Sequence, residues 1–284
     1  MPQSKPEALV STEWLAAHLA APDVRVVDAS WYFPGGRDAR AEYRQEHIPG
    51  AVFFDIDEIA AGTEGPPHML PDATKFASKV RKLGLGNGNC IVVYDRASGG
   101  AAAARVWWMF RVFGHDEVSV LDGGIDKWLA EGRPVDDLPP IPRERHFIPR
   151  VNQFLVRDKG QVLANLDSKR DQLVDARPAD RFAGKGKEPW PHQKVGHIPG
   201  SLNLPWSTLL DPQSKTLLPN EQLAARFAAA GVAPNQPIVA SCGSGVTACM
   251  LALALYRLGN TEVAVYDGSW AEWGQADDTP VVSG

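Results

Sequence analysis

The chain has 284 residues, of which 44% are hydrophobic and 22% are charged, as is typical of a soluble globular protein with one large or two ordinary domains. Its formal net charge of −5 argues against nucleic acid or an anionic membrane as the main partner. No apolar run reaches the length of a membrane span, and residues 1–7 lack the apolar core of a signal peptide. The cysteines Cys90, Cys242 and Cys249 are too few and too irregular for a disulfide framework or a zinc site. We therefore expect a reducing, cytoplasmic setting.

In the first half of the chain, short apolar strands alternate with helical stretches. The first helix is predicted to begin at Ser11 or Thr12, either of which can cap it. The later elements are predicted as strands over 24–30, 91–95 and 118–121, a helix over 101–112, and a short helix around Trp128. This alternation predicts a parallel sheet with helices on both faces.

The same motifs return about 147 residues later. Asp-Ala stands at 28–29 and at 175–176, and His-Ile-Pro-Gly stands at 47–50 and at 197–200. Asp-Gly-Gly or Asp-Gly-Ser, followed by tryptophan, stands at 122–128 and at 267–273. Two copies of this length indicate a duplicated α/β domain rather than a solenoid. A Pro-rich linker over 136–143 predicts domains 1–142 and 143–284.

Features found in both halves are expected to serve the shared fold. His47 and His197 could each be a catalytic base, but their duplicated turn favours a structural hydrogen-bonding role. Asp28 and Asp175 have the same interpretation. The second half alone carries about eleven extra residues between Phe182 and its histidine turn, and inserted loops near a site often set specificity.

The segment Cys242-Gly243-Ser244-Gly245-Val246-Thr247 is the candidate for chemistry. A predicted strand over 237–240 precedes it and a predicted buried helix over 249–258 follows it. Amides of such a turn, with the helix N-terminus, form a pocket for negative charge and favour a thiolate. A buried structural cysteine is the alternative. The matching position of the first half is Asp95, so that half is predicted to be inactive.

With these duplicated motifs, the chain resembles the tandem rhodanese-type sulfurtransferases over nearly its whole length. The segments 54–57 and 107–111 strengthen the resemblance. The Cys242 turn is similar to that of the 3-mercaptopyruvate type, whereas thiosulfate-using rhodaneses usually have Arg and Lys after the cysteine. The resemblance implies two rhodanese-like domains. It also implies sulfur transfer from 3-mercaptopyruvate through a Cys242 persulfide to a thiol, a thioredoxin-like protein or cyanide, with no metal and no organic cofactor.

Other enzyme and non-enzyme functions remain as alternatives. A thiosulfate:cyanide sulfurtransferase and a non-catalytic persulfide carrier both fit the resemblance. Cysteine phosphatase chemistry is excluded because the position of its essential arginine holds Ala248.

The resemblance also implies roles for particular residues. Arg181 would hold the substrate carboxylate, while Gly243, Gly245, Val246 and Thr247 would line the substrate with their backbone. A second family arginine is replaced here by Trp190. The basic residues of the insertion that could substitute for it are Lys185, Lys187 and His192.

A proton relay of the family maps onto Asp57, His68 and Ser244. Asp57 would orient the imidazole, which would exchange a proton through Ser244. Since Asp57 and His68 belong to the first half, the relay is expected to cross the domain interface. Cys249 is expected to lie in the core, and Cys90 has no predicted role.

Overall fold

The structure, a computed structural model, describes residues 7–62, 64–96, 99–190 and 193–284. Their packing divides the chain into two compact units. The first contains the described parts of Met1–Ile59, Pro71–Asn152 and Asp211–Leu217, and the second those of Ala60–Leu70, Gln153–Leu210 and Leu218–Gly284. The units follow the two halves of the repeat, apart from three short segments that belong with the other half, at 60–70, 143–152 and 211–217. The domain boundary at 142–143 concerns the repeat and stays a prediction.

Within the described residues, the first unit has a parallel sheet of five strands in the order β1-β5-β4-β2-β3. The strands are β1 (Leu9–Val10), β2 (Val24–Asp28), β3 (Val52–Phe53), β4 (Cys90–Tyr94) and β5 (Val118–Leu121). The helices are α1 (Thr12–His18), α2 (Ala39–Gln45), α3 (Ile56–Ile59), α4 (Ala73–Lys82), α5 (Ala101–Val112) and α6 (Gly124–Ala130). Helices supply the crossovers that parallel strands require.

The second unit repeats this topology, with its described strands in the order β6-β10-β9-β7-β8. The strands are β6 (Val156–Arg157), β7 (Gln172–Asp175), β8 (Leu202–Asn203), β9 (Ile238–Ser241) and β10 (Ala264–Tyr266). The helices are α7 (Lys159–Ser168), α8 (Ala179–Phe182), α9 (Asn220–Ala229), α10 (Ala248–Arg257) and α11 (Ser269–Trp273), with short 3-10 turns at Gln153–Leu155 and Trp206–Leu209. The predicted α/β duplication is therefore confirmed.

Apolar helix faces cover each sheet. In the first unit, Val24 and Val26 of β2 join a buried cluster with Leu15 of α1 and Trp128 of α6, because alternate strand residues face the same side. Helix α5 packs against β4 and β5, and all its residues except Arg111 are buried. Burial on nearly every side explains why the sequence of α5 lacks the polar face of a surface helix.

The predicted elements agree closely with the observed ones. Helix α5 has the predicted bounds, whereas β9 and α10 each differ from the prediction by one residue. Ser11 caps α1, since its Oγ accepts a hydrogen bond of 3.1 Å from the Trp14 amide. Among the described helices, none has the length and hydropathy that crossing a bilayer would demand.

Candidate active site

A single turn joins β9 to α10, and it carries Cys242. We call residues 242–247 the active loop, since β9 ends at Ser241 and α10 begins at Ala248. Cys242 is 1% exposed. Backbone amides at a helix N-terminus carry a partial positive charge and point out of the helix, so this location favours an anion over a neutral group.

The start of α11 holds the backbone of the active loop. The Trp270 amide donates to the Cys242 carbonyl at 2.9 Å, and the Ala271 amide donates to the Gly243 carbonyl at 2.7 Å. The Cys242 amide donates to Ser269 Oγ at 3.1 Å, and that hydroxyl donates to a backbone carbonyl at 2.7 Å. These bonds fix the peptide groups next to the sulfur.

Several amides of the active loop have no hydrogen-bond acceptor among the described residues. In the part of the chain that the structure describes, the amides of Ser244, Val246 and Thr247 donate to no acceptor. Gly245 has a φ of 76°, a left-handed conformation that lets consecutive amides converge on one point. Because an unpaired buried amide costs free energy, this loop is suited to receive an anion. Its effect on the Cys242 sulfur stays a prediction.

His68 lies against the active loop. Its Nδ1 is 2.8 Å from Ser244 Oγ, and both side chains are buried. His68 belongs to the segment Ala60–Leu70, which packs with the second unit. In the same segment, the Leu70 amide donates to Asp267 Oδ2 at 2.7 Å. The His68–Ser244 part of the relay therefore forms inside the second unit, although the sequence predicts that His68 comes from the first.

Asp57, the third member of the predicted relay, lies in α3 of the first unit. Its Oδ2 accepts a hydrogen bond of 2.8 Å from Trp31 Nε1. This bond fixes the direction of the carboxylate. Its role in orienting the His68 imidazole stays a prediction.

The guanidinium of Arg181 reaches the active loop from α8. A Cβ atom placed on Gly243 would lie 3.3 Å from Arg181 Nη2 and 3.4 Å from Trp190 Cζ3. The two side chains therefore flank Gly243, and a residue larger than alanine there would have to displace them. Arg181 thus lies beside the residue that follows Cys242, as a contact to the substrate carboxylate requires.

Glu188, in the insertion, pairs with two arginines. Its Oε2 accepts hydrogen bonds from Nε and Nη2 of Arg181, and its Oε1 accepts one of 2.9 Å from Arg177 Nη1. Arg177 also donates from Nη2 to Asp175 Oδ2 at 2.8 Å. The Glu188 and Arg177 side chains are 5% and 1% exposed, whereas that of Arg181 is 18% exposed. The result is a buried network whose formal charges cancel, with Arg181 at its accessible end.

The remaining basic candidates of the insertion are less well situated. Lys185 and Lys187 are exposed. His192 lies outside the described residues. Of the described basic candidates, Arg181 lies beside the active loop, and its contact with a substrate stays a prediction.

The surroundings of the other two cysteines favour a structural role over a catalytic one. Cys249 is fully buried in α10, where its Sγ donates to the Gly245 carbonyl at 3.2 Å. This agrees with the predicted core position. Burial raises the pKa of the half-buried Cys90 thiol, which makes it a weaker nucleophile at neutral pH.

The corresponding loop of the first unit joins β4 to α5 and carries Asp95, which is 2% exposed. Its carboxylate accepts hydrogen bonds of 2.9 Å from Gly100, 2.9 Å from Ala102 and 3.0 Å from Ala103, all from backbone amides. This loop already holds an anion of its own.

The duplicated histidines serve the fold, as predicted. His47 Nδ1 is 2.7 Å from the Tyr43 carbonyl, and the two rings stack at 4.3 Å. His197 Nδ1 is 2.8 Å from the Phe182 carbonyl, and those rings stack at 3.7 Å. The same contact in both units explains the shared motif.

Two residues of the site were not found by sequence reasoning. Ser269 binds the Cys242 amide, and the matching position of the first half is Gly124. Comparing the halves at that position, as was done for Cys242, would have revealed it. Glu188 carries no such signal because the insertion has no counterpart in the first half.

Comparison with known domain families places the fold. The rhodanese-like domain matches this chain twice, at residues 11–131 and 158–276. The chain belongs to the rhodanese family. Each match covers one five-stranded sheet, with its short first strand outside the match, so the family assignment and the observed topology agree.

Relatives of this rhodanese-family chain carry both donor names. It is 44% identical to thiosulfate/3-mercaptopyruvate sulfurtransferase 2 of Arabidopsis thaliana, over 99% of this chain and 88% of that protein. It is 48% identical to thiosulfate sulfurtransferase of Rattus norvegicus and 43% identical to 3-mercaptopyruvate sulfurtransferase of Mus musculus, each over 94% of this chain and 91% of the relative.

The fold is similarly close to a solved structure. SseA from Escherichia coli, described as a 3-mercaptopyruvate sulfotransferase, superposes with a TM-score of 0.84 at 37% identity, covering 93% of this chain and 99% of that one. Taken with the relatives, this makes the rhodanese-family chain a sulfurtransferase enzyme.

Proposed function

We propose that this enzyme transfers a sulfane sulfur from 3-mercaptopyruvate to a thiophilic acceptor, through a persulfide on Cys242 and with release of pyruvate. The observation that carries the proposal is the active loop. It carries Cys242 together with three amides that have no acceptor among the described residues, and it has no charged side chain at Gly243 or Ser244. A neutral loop beside one cation, Arg181, suits a donor with one carboxylate and a polar ketone.

In the first half-reaction, the Cys242 thiolate attacks the sulfur of 3-mercaptopyruvate. The S–S bond forms as the C–S bond breaks, and the bonding electron pair leaves on carbon as the enolate of pyruvate. The proton of the donor thiol moves to that carbon, which yields pyruvate and an anionic persulfide. The 2.8 Å contact between His68 Nδ1 and Ser244 Oγ supports a route for this proton, with Asp57 orienting the imidazole.

In the second half-reaction, the acceptor attacks the outer sulfur of the persulfide. The S–S bond breaks, and its electron pair stays on Cys242 Sγ, which regenerates the thiolate. Between the two steps, the amides of Ser244, Val246 and Thr247 stabilise the persulfide anion. A small thiol, a thioredoxin-like dithiol or cyanide can serve as acceptor.

Thiosulfate is the second candidate donor, because a relative at 48% identity is named for it. Thiosulfate is a dianion and would gain from two fixed cations beside the cysteine. Among the described residues near Gly243, the cation is Arg181, and the Glu188 carboxylate already neutralises its charge. This charge balance favours 3-mercaptopyruvate.

Steady-state rates with both donors test the proposal. With cyanide as acceptor, we expect a higher kcat/KM for 3-mercaptopyruvate than for thiosulfate, and parallel double-reciprocal lines typical of a ping-pong reaction. Arg181→Ala should raise KM for 3-mercaptopyruvate. A higher kcat/KM for thiosulfate would overturn the donor assignment, and no turnover with either donor would overturn the function.

A further inference from the structure

We propose that Glu188 sets the charge preference of the donor site: it neutralises and positions Arg181, so that the site accepts singly charged organic carboxylates in preference to dianions. This inference rests on the proposed function, since it concerns the donor site of the same reaction.

Arg177 anchors Glu188, and four of its five N–H groups already donate to oxygens of the protein. Its Nε and Nη2 donate to Asp175, its Nη1 donates to Glu188 at 2.9 Å, and its Nη2 also donates to the Gly196 carbonyl at 2.8 Å. Its guanidinium carbon lies 4.2 Å from the centre of the Trp270 ring. With a side chain that is 1% exposed, Arg177 cannot turn toward a ligand. It therefore fixes one oxygen of Glu188.

The other oxygen of Glu188 fixes Arg181. It accepts from Nε and Nη2, which holds the planar guanidinium in one orientation beside Gly243. In the described part of the chain, Nη1 of Arg181 has no acceptor. The Nη1 donors thus remain for a carboxylate of the donor.

The charges of this network cancel before any substrate arrives. Arg177 and Arg181 contribute two positive charges, and Asp175 and Glu188 contribute two negative ones. A donor with one carboxylate still gains hydrogen bonds from Arg181. Each further negative charge on the donor is repelled by Glu188, and the network has no net positive charge to offset that repulsion. The site therefore discriminates by donor charge.

A set of variants separates the effect of the network's net charge on donor choice from the effect of changing a side chain. Glu188→Gln adds one positive charge to the network, Arg181→Gln removes one, and the double variant restores the balance. We expect the ratio of kcat/KM for thiosulfate to that for 3-mercaptopyruvate to rise about fivefold or more in Glu188→Gln. The ratio should fall in Arg181→Gln and return to within about twofold of the wild-type value in the double variant.

Glu131→Gln is the matched control. Glu131 is also a carboxylate held by two cations, Lys127 and Arg133, but it lies after α6 in the first unit. The substitution changes the total charge by the same amount. We expect an unchanged donor ratio, and a rise equal to that of Glu188→Gln would show that only net charge matters, which would overturn the proposal.

Two further measurements keep the proposal decidable. If Glu188→Gln does not fold, Arg181→Gln and the double variant still test the order of the ratios, because removing both partners of a buried pair is tolerated better than removing one. If the wild-type enzyme turns over neither donor, the proposed function fails. Protection of Cys242 from alkylation by pyruvate and by sulfate then tests the charge preference alone. A donor ratio, or protection ratio, that does not follow the network charge would overturn the role of Glu188.

Discussion

The two strand-to-helix loops of this protein stand at matching places in the repeat and carry different residues. In the first unit, the loop between β4 and α5 carries Asp95, whose carboxylate accepts the backbone amides of Gly100, Ala102 and Ala103. In the second unit, the loop between β9 and α10 carries Cys242 at the matching position. These three amides need no ligand, because a carboxylate of the protein itself accepts their hydrogen bonds.

The second loop leaves that place open. In the described residues, the amides of Ser244, Val246 and Thr247 have no acceptor. The side chain of Cys242 ends one bond closer to the backbone than an aspartate side chain does. A carboxylate oxygen of Asp95 lies two bonds beyond Cβ, and so does the outer sulfur of a cysteine persulfide. The comparison supports a second loop that is shaped for the anion formed during the reaction.

Replacing the nucleophile should have the largest effect. Cys242→Ser is expected to lower kcat by roughly 1000-fold or more, because an alcohol is a far weaker sulfur nucleophile than a thiolate. Initial-rate assays with 3-mercaptopyruvate and cyanide measure this. Cys90→Ser, a half-buried cysteine of the first unit, is the control and should retain the wild-type kcat. Turnover by Cys242→Ser near the wild-type rate would mean that another residue carries the sulfur.

Removing the Asp95 carboxylate from the first loop should mainly affect the stability of the fold. Asp95→Ala deprives three backbone amides of their acceptor, two of them in buried hydrogen bonds, and we expect the free energy of unfolding to fall by about 3 kcal/mol. Urea denaturation followed by circular dichroism measures it. Cys242→Ala should lower the same quantity by only about 1 kcal/mol, since it removes one sulfur atom and no bond to an amide. Equal losses in the two variants would contradict the comparison.

The next contrast is Ser269, whose counterpart in the first unit is Gly124. Ser269→Ala removes the acceptor of the Cys242 amide, and we expect kcat/KM to fall about 5- to 10-fold because the loop loses one fixed peptide group. Ser119→Ala is the matched control, since it deletes a buried serine hydroxyl bond of 2.7 Å in the first unit. If both variants keep wild-type kcat/KM, Ser269 does not position the nucleophile.

The smallest expected effect is an acid-dependent loss of stability that differs between the units. Burial opposes ionisation of Glu131, but hydrogen bonds from Lys127, Thr12 and Arg133 outweigh it and lower the pKa to about 2. This carboxylate therefore stabilises the folded state above the ordinary pKa of 4.5, and the contribution is lost as pH falls toward 2. With its side chain 27% exposed, we expect less than about 1 kcal/mol.

Unfolding at pH 6 and pH 3 checks this contribution. The difference in stability between wild type and Glu131→Gln should be present at pH 6 and should shrink at pH 3. In the second unit, a hydrogen bond from Lys159 lowers the pKa of Asp278, which is more exposed than Glu131. Asp278→Asn should therefore show a smaller pH-dependent difference. An identical loss in wild type and Glu131→Gln would contradict the assignment.

The fold could be predicted from the sequence, and a candidate nucleophile could be singled out, because the duplication leaves local signals that can be compared between the halves. The apolar strands and the buried helix α5 follow from residue pattern alone, and Cys242 differs from Asp95 at one aligned position. The two-residue strands β1, β3, β6 and β8 were missed because they are too short to show a period.

The environment of Arg181 could not be predicted, for a different physical reason. Its partner Glu188 is brought to it by the path of an insertion that has no second copy for comparison. The packing of Ala60–Leu70 with the second unit likewise depends on contacts between residues far apart in the chain, such as His68 with Ser244. Such contacts leave no periodic trace in one sequence.

The mass of the protein after exposure to 3-mercaptopyruvate, without an acceptor, tests the role of the second loop most directly. We expect a gain of one sulfur atom that maps to the peptide containing Cys242, is reversed by a thiol, and is absent from Cys242→Ser. An unchanged mass, or a gained sulfur on Cys90 or Cys249, would contradict a loop built to hold a persulfide on Cys242.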